Sequence, residues 1–282
     1  MPSVDFDFQR YVERRKGARE AEAREGAAYA YAFDLRLLRG LERLRPAKLA
    51  LEATVRLWRS AARAELLAGA TKATAKQQAT VHAVAERCAE RLHVSMPDVY
   101  VTPAERNIGA HTLGTADEAY VVLSSALVEA LNEGELAFAV GRQLGRIQNQ
   151  HVLPATALYY LEHFASRYVR WIVAPALAAL RGWGRRSEIT IDRAGLLCTR
   201  DVEIATAAMG KLGVPPERIA ALRIFSDSAY YRGVIGGSGG FPADECDEEV
   251  SRVLKQGASK DEDKDGEGDG DGGDGDGDGE QQ

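Results

Sequence analysis

A chain of 282 residues with 45% apolar residues can bury a sizeable core, as one large domain or one domain with appendages. Its net charge of −6 is unevenly placed: Lys260 to Gln282 hold eleven Asp/Glu against two Lys, a net of −9, so residues 1–259 carry +3. The cysteines Cys88, Cys198 and Cys246 are too few and too scattered for a disulfide scaffold. The longest strongly apolar uncharged stretch, Trp171 to Leu180, falls far short of the ~20 residues of a membrane helix.

The first twenty residues lack an apolar core of signal-peptide type, so the expectation is a soluble, cytoplasmic chain with free thiols. Residues 1–25 are charged and read as frayed or as an exposed helix. Between Ala27 and Leu67 apolar residues recur at helical spacing, from Phe33, Leu37, Leu38, Leu41 and Leu44 to Leu51, Val55 and Trp58, with Pro46 separating two helices. Their arginine-rich faces fit a solvated surface better than a nucleic-acid site. Residues 71–93 read as an amphipathic helix. A short strand ends at Pro103, and Asn107 to Gly114 forms a further extended stretch. Ala119 to Leu123 is a strand, and Ser124 or Ser125 caps the next helix.

Asn132-Glu133-Gly134 reads as a turn, after which Glu135 opens a helix that Pro154 closes or kinks. Residues 156–180 and 187–213 are expected as helices, the second ending at Gly213. A helix around 215–232 ends the packed body, with Gly233 to Gly240 as a flexible link. From Asp261 the Asp/Gly composition cannot bury a core and reads as a disordered acidic tail. Asp274-Gly-Asp276-Gly-Asp278-Gly279 looks like the start of a calcium loop. The glutamate that such a loop needs is missing, so a solvated tail is the better reading. The elements make an α+β, mainly helical fold.

The most informative residues are Arg142-Gln143-Leu144-Gly145-Arg146, inside ELAFAVGRQLGRIQNQH. In an H-E-x-x-H helix two histidines four apart bind Zn²⁺, and the glutamate between them is general base to the metal-bound water. Arginine has no lone pair to give a metal, and glutamine cannot take a proton from water. The flanks supply the context. MPDVYVTP with Asn107 and Gly114, Tyr120-Val-Val-Leu-Ser-Ser, and Glu135-Leu136 with Gly141 follow one another in order. His151 and Ser187-Glu188-Ile-Thr-Ile-Asp192-Arg193 come after them. From about Thr71 to Ile235 the chain resembles the gluzincin zinc metallopeptidases of the HtpX and CAAX-prenyl-protease type.

That resemblance implies a gluzincin-like metallopeptidase fold with a small mixed sheet and an active-site helix pair. It divides the chain into an N-terminal helical segment 1–70, a metallopeptidase-like domain 71–235 and a flexible Gly/Asp-rich acidic tail 236–282. It places Arg142 and Arg146 at the two zinc-histidine positions, Gln143 at the general-base position, Glu188 at the third-ligand position and Asp192 at its helper. It makes Asn107, Ala110, His111 and Thr112 the peptide-binding edge strand. No cofactor is expected, zinc being implied only if the register or the inactive reading is wrong. Arg142 and Arg146 are expected to pair with Glu188 and Asp192, two guanidiniums against two carboxylates, in place of the metal. His151 reads as a structural residue. The expected function is a catalytically inactive homologue that binds a peptide or protein partner or regulates an active relative. The alternatives are an active metal-dependent endopeptidase with a non-standard site built from Glu188, Asp192 and His151, and a structural assembly partner using residues 27–67.

Overall fold

The computed structural model describes residues 27–43, 69–103, 109–114, 119–163 and 174–266. In chain order its elements are α1 (Ala32–Arg43), β1 (Thr71–Lys72), α2 (Ala79–Arg91), β2 (Asp98–Thr102), β3 (Ala110–Gly114), β4 (Ala119–Ser124) and α3 (Ser125–Ala130). There follow α4 (Glu133–Gln148), α5 (Val152–His163), α6 (Ala174–Thr199), α7 (Val202–Lys211), α8 (Pro216–Ser226), α9 (Ala229–Val234) and α10 (Ala243–Gly266). The fold is α+β and mostly helical. Its sheet is mixed, in the order β1-β2-β4-β3, with β2 parallel to β4 and both outer strands antiparallel to their neighbours. No helix among the described residues is long and apolar enough to cross a membrane.

Helix α4 lies at the centre and packs on α6, α2, α7 and β3. It begins at Glu133, two residues before the expected start. Asn132 accepts from the Glu135 N–H while Glu135 accepts from the Asn132 N–H, a reciprocal cap that satisfies two orphan donors. Leu136, Phe138, Val140 and Leu144 of α4 are buried against Val121 and Leu123 of β4, Val84 of α2 and Leu196 of α6 in one core. The approach of α4 to α6 depends on glycine. A Cβ at Gly145 would sit 2.5 Å from the Cβ of Ala194, and one at Gly195 2.6 Å from the Phe138 ring. A smaller cluster joins Leu38 and Leu41 of α1 to Leu161 of α5 and Leu177, Leu180 and Trp183 of α6.

Several boundaries differ from the sequence reading. Residues 71–93 are not one helix: Thr71 pairs with Val101 and Lys72 with Tyr100, and α2 starts only after Gln78, whose φ is 55°. A two-residue strand carries no period to read. The helices expected at 156–180 and 187–213 are arranged otherwise. α5 is described over Val152–His163, residues 164–173 lying outside the described residues; α6 runs unbroken through 180–187, and the chain turns at Arg200 (φ 59°) before Asp201 caps α7. α4 ends at Gln148 rather than at Pro154, which instead sits in the first turn of α5, where a proline's missing N–H costs nothing. The helix around 215–232 is split at Asp227 and Ser228.

The largest correction concerns the stretch 236–282. Phe241 forms a bridge with Ser228, and α10 packs on α8. Cys246 and Val250 are buried and Leu254 packs beside them, so positions four apart give α10 an apolar stripe. That stripe, not composition, brings this part of the expected tail into the body; residues 267–282 lie outside the described residues. At the other end Ala27, Tyr29 and Tyr31 enter the main core. The expected second helix of 27–67 and Asn107 of the expected edge strand also lie outside the described residues.

Candidate functional site

Arg142 and Arg146 are one helical turn apart on α4, as Glu188 and Asp192 are on α6, so each pair shares a face. The glycine-lined contact between the helices brings the two faces together. Arg142 Nη2 donates to Glu188 Oε2 and Arg146 Nη2 to Glu188 Oε1. Arg142 Nε stands 2.9 Å from Asp192 Oδ1 as an ion pair, out of line for a hydrogen bond. The guanidinium of Arg142 also lies 5.9 Å from the centre of the Phe138 ring.

A third arginine, absent from the sequence reading, completes the cluster. Arg218, in the first turn of α8, donates from Nε and Nη2 to the two oxygens of Asp192, each at 2.9 Å, and from Nη2 to Glu188 Oε2 at 2.9 Å. The fork matches the carboxylate through two parallel bonds. Three guanidiniums thus face two carboxylates, and the expected balance of two against two is corrected by one positive charge. Nothing in the local sequence PPERIAAL marks Arg218; only the packing of α8 on α6 places it.

Asp192 is 2% exposed and Glu188 22%, with the three arginines between 12% and 17%. Burial by itself would raise the Glu188 pKa, but the charges of Arg146, Arg142 and Arg218 outweigh it and hold the carboxyl well below the usual range. Deeper burial and the neighbouring Glu188 charge push Asp192 the other way, against the pull of Arg218 and Arg142. The same carboxylates raise the Arg218 pKa over the opposing effect of its burial.

Gln143 is buried and faces the sheet. Its Oε1 and its backbone carbonyl each lie 3.0 Å from Thr112 Oγ1 and share that hydroxyl's one proton, tying α4 to β3. Thr112 is therefore buried and committed, while His111 is exposed and Ala110 half-buried. Strand β3 is the outer strand of the sheet beyond β4. Gly109 and Ser124 form a narrow pair, so alternation turns the N–H and C=O of Ala110 and Thr112 outward. They face a cavity of about 390 Å³ between β3, α5 and α6, bounded by Tyr159, Trp183, Arg146 and Glu188.

His151 stands apart from this cluster's hydrogen bonds. Its Nε2 is 3.1 Å from Asp34 Oδ2, both residues fully buried, and its ring meets Trp183 edge-on at 5.2 Å. Asp34 also accepts from Trp183 Nε1 at 2.9 Å and from Thr190 Oγ1 at 2.5 Å, so it pins α1 to α6. Cys88, Cys198 and Cys246 are buried free thiols. Among the described residues no group of three or more His, Cys, Asp or Glu is placed to hold a metal. A zinc ion does not fit the residues present. Arg142 and Arg146 offer no lone pair, and both oxygens of Glu188 are held by guanidiniums.

Comparison with known proteins agrees with the region identified from sequence. The family model described as Peptidase family M48 matches residues 75–232, more than half of the chain. A curated relative, the plastoglobule-localized metallopeptidase 48 of the chloroplast of Arabidopsis thaliana, is 26% identical over 140 residues. That match covers 48% of this chain and 40% of the relative, so the chain spans well under half of the relative's length. No solved structure gives a significant match.

Proposed function

We propose, on the premise that this chain belongs to peptidase family M48, that it is a metallopeptidase-like protein working by binding rather than by hydrolysis. One observation carries the reading: Glu188, at the third-ligand position, is bound by Arg142, Arg146 and Arg218. The cluster supplies positive charge where the family's motif supplies a metal. It offers neither a site for an activated water nor a base, since the side-chain oxygen of Gln143 accepts from Thr112. What remains is a cleft beside a strand edge. An extended peptide would add to β3 by main-chain hydrogen bonds to Ala110 and Thr112, with its side chains against Tyr159 and Trp183.

The test is capture of unfolded polypeptide. Fluorescein-labelled casein peptides should bind the full chain, measured by fluorescence anisotropy, and should stay uncut on prolonged incubation. Ala110→Pro removes an outward N–H without breaking a β3–β4 bond and should weaken binding about tenfold, one lost main-chain bond plus local mismatch. Equal binding by this variant, or cleavage abolished by a chelator, would refute the reading.

A further inference from the structure

A second cavity, of about 540 Å³, opens on the other side of Glu188, between α6, α8 and α10. Its rim carries Arg185, Arg186, Arg218 and Lys255 against Glu188 and Glu217. Glu188 is already committed to three arginines, and the cluster that contains Arg218 has one positive charge in excess. Among the described residues Arg185 and Lys255 have no acidic partner, and Arg186 donates to the Gly182 carbonyl alone. Arg185 and Arg186 are exposed, as is Lys255. Tyr31, Phe33, Pro215 and Leu254 also line the cavity, with the Arg36 guanidinium over the Phe33 ring. Such a cavity attracts an anionic chain with little side-chain bulk.

We propose that this cavity is the docking site of the chain's own acidic segment, residues 267–280. The segment carries Glu267, Asp269, Asp271, Asp274, Asp276, Asp278 and Glu280 and no basic residue. From Asp274 to Glu280 acids alternate with glycine. In an extended backbone that period puts every carboxylate on one face, about 7 Å apart, and leaves the other face bare. The charged face would suit the guanidiniums and Lys255, and the bare glycine face would let the backbone approach the cavity wall closely. The tether is suitable. Lys255 on the cavity rim and the segment belong to one stretch of chain, and α10 carries it on to Gly266, about 16 Å further. Fourteen extended residues reach roughly 45 Å, enough to return. Attachment raises the local concentration of the segment to the millimolar range, so modest intrinsic affinity suffices.

This inference does not depend on the reading of the β3 edge. It is tested with the full chain and a full chain in which the seven acids are changed to the matching amides. The probe is a fluorescein-labelled peptide of residues 267–280. The amide chain should bind it at least about tenfold more tightly than the native chain, whose cavity is filled from within. Binding should weaken steeply between ~0.05 and 0.3 M salt. In the amide chain, Arg186→Glu with Lys255→Glu should lower affinity about tenfold or more, with the melting temperature checked to be that of the parent; these residues line only this cavity. Ala110→Pro should leave this binding unchanged, which separates the two readings. Equal binding by the native and amide chains would overturn the proposal and make the site one for a partner's acidic peptide. No binding by either chain, or no effect of the double charge reversal, would overturn it as well.

Discussion

Glu188→Gln removes the charge that three guanidiniums share. The side chain keeps nearly the same shape, but one carboxylate, Asp192, is then left to face Arg142, Arg146 and Arg218. Breaking a buried ion pair on one side costs about 3–5 kcal/mol. Glu188 is 22% exposed, so water partly relieves the orphaned charges and the lower end, ~3 kcal/mol, applies. For a chain of this size that is a fall of about 6–12 °C in melting temperature. The pH dependence gives a second signature. The Glu188 pKa is depressed in the folded state, so its stabilisation is complete above the unfolded carboxylate pKa and drains away as pH falls toward the folded value. Asp192, whose pKa burial and the Glu188 charge raise, contributes with the opposite sign and is released from that charge in the variant, so the wild-type-minus-variant difference reads the coupled pair. Urea unfolding from pH 7 down to pH 3 should therefore show a gap between the two proteins that is widest at neutral pH and narrows below about pH 4. A variant that melts within about 1 °C of the wild type, or a gap that does not change with pH, would refute the view that the cluster holds α4, α6 and α8 together.

Three further outcomes are expected. The triple change Arg142→His, Gln143→Glu, Arg146→His should restore two zinc ligands beside Glu188 and yield about one zinc per chain by metal analysis; adding Arg218→Met should tighten binding by freeing Glu188 Oε2. A folded variant without zinc would mean that the assigned register is wrong. Gly145→Ala, whose Cβ would stand 2.5 Å from that of Ala194, should cost about 1–3 kcal/mol, whereas Gly182→Ala, with nothing within 4 Å, should be neutral or stabilise by up to ~1 kcal/mol in thermal melts. Asp34→Ala leaves Trp183 Nε1 and Thr190 Oγ1 without their acceptor in a fully buried site and should cost roughly 2–4 kcal/mol by urea unfolding; a smaller loss would mean that α1 is not pinned there.

The candidate site was legible wherever a local spacing carried it. The i, i+4 pairs Arg142/Arg146 and Glu188/Asp192 are set by helix geometry once each helix is recognised, and the flanking motifs supply the register. The strand read as Ala119 to Leu123 and found as Ala119–Ser124, and the cap read as Ser124 or Ser125 and found at Ser124, were legible for the same reason, through apolar run and capping chemistry. Arg218 was not, because its partners are 26 and 30 residues away and its own helix has no signature. Nor was the role of Asp34, whose partners Trp183 and Thr190 lie 149 and 156 residues on. The helix α10 was hidden by composition, since its charged residues outvote an apolar stripe of Cys246, Val250 and Leu254 that only a docked partner makes visible.

By itself the sequence determined the family region, the helix that carries Arg142, Gln143 and Arg146, and the chemical fact that arginine side chains give a metal no lone pair and glutamine takes no proton from water. These follow from residue type and from periods of two and four, which are local properties of the backbone. Only the tertiary structure decided the charge balance of the cluster, the burial of Thr112 and Gln143 against each other, and the second cationic cavity beside Glu188. Each depends on which helix faces lie against one another. That is fixed by long-range packing through Gly141, Gly145 and Gly195, where a missing Cβ lets α4 and α6 approach, and no short window of sequence contains it.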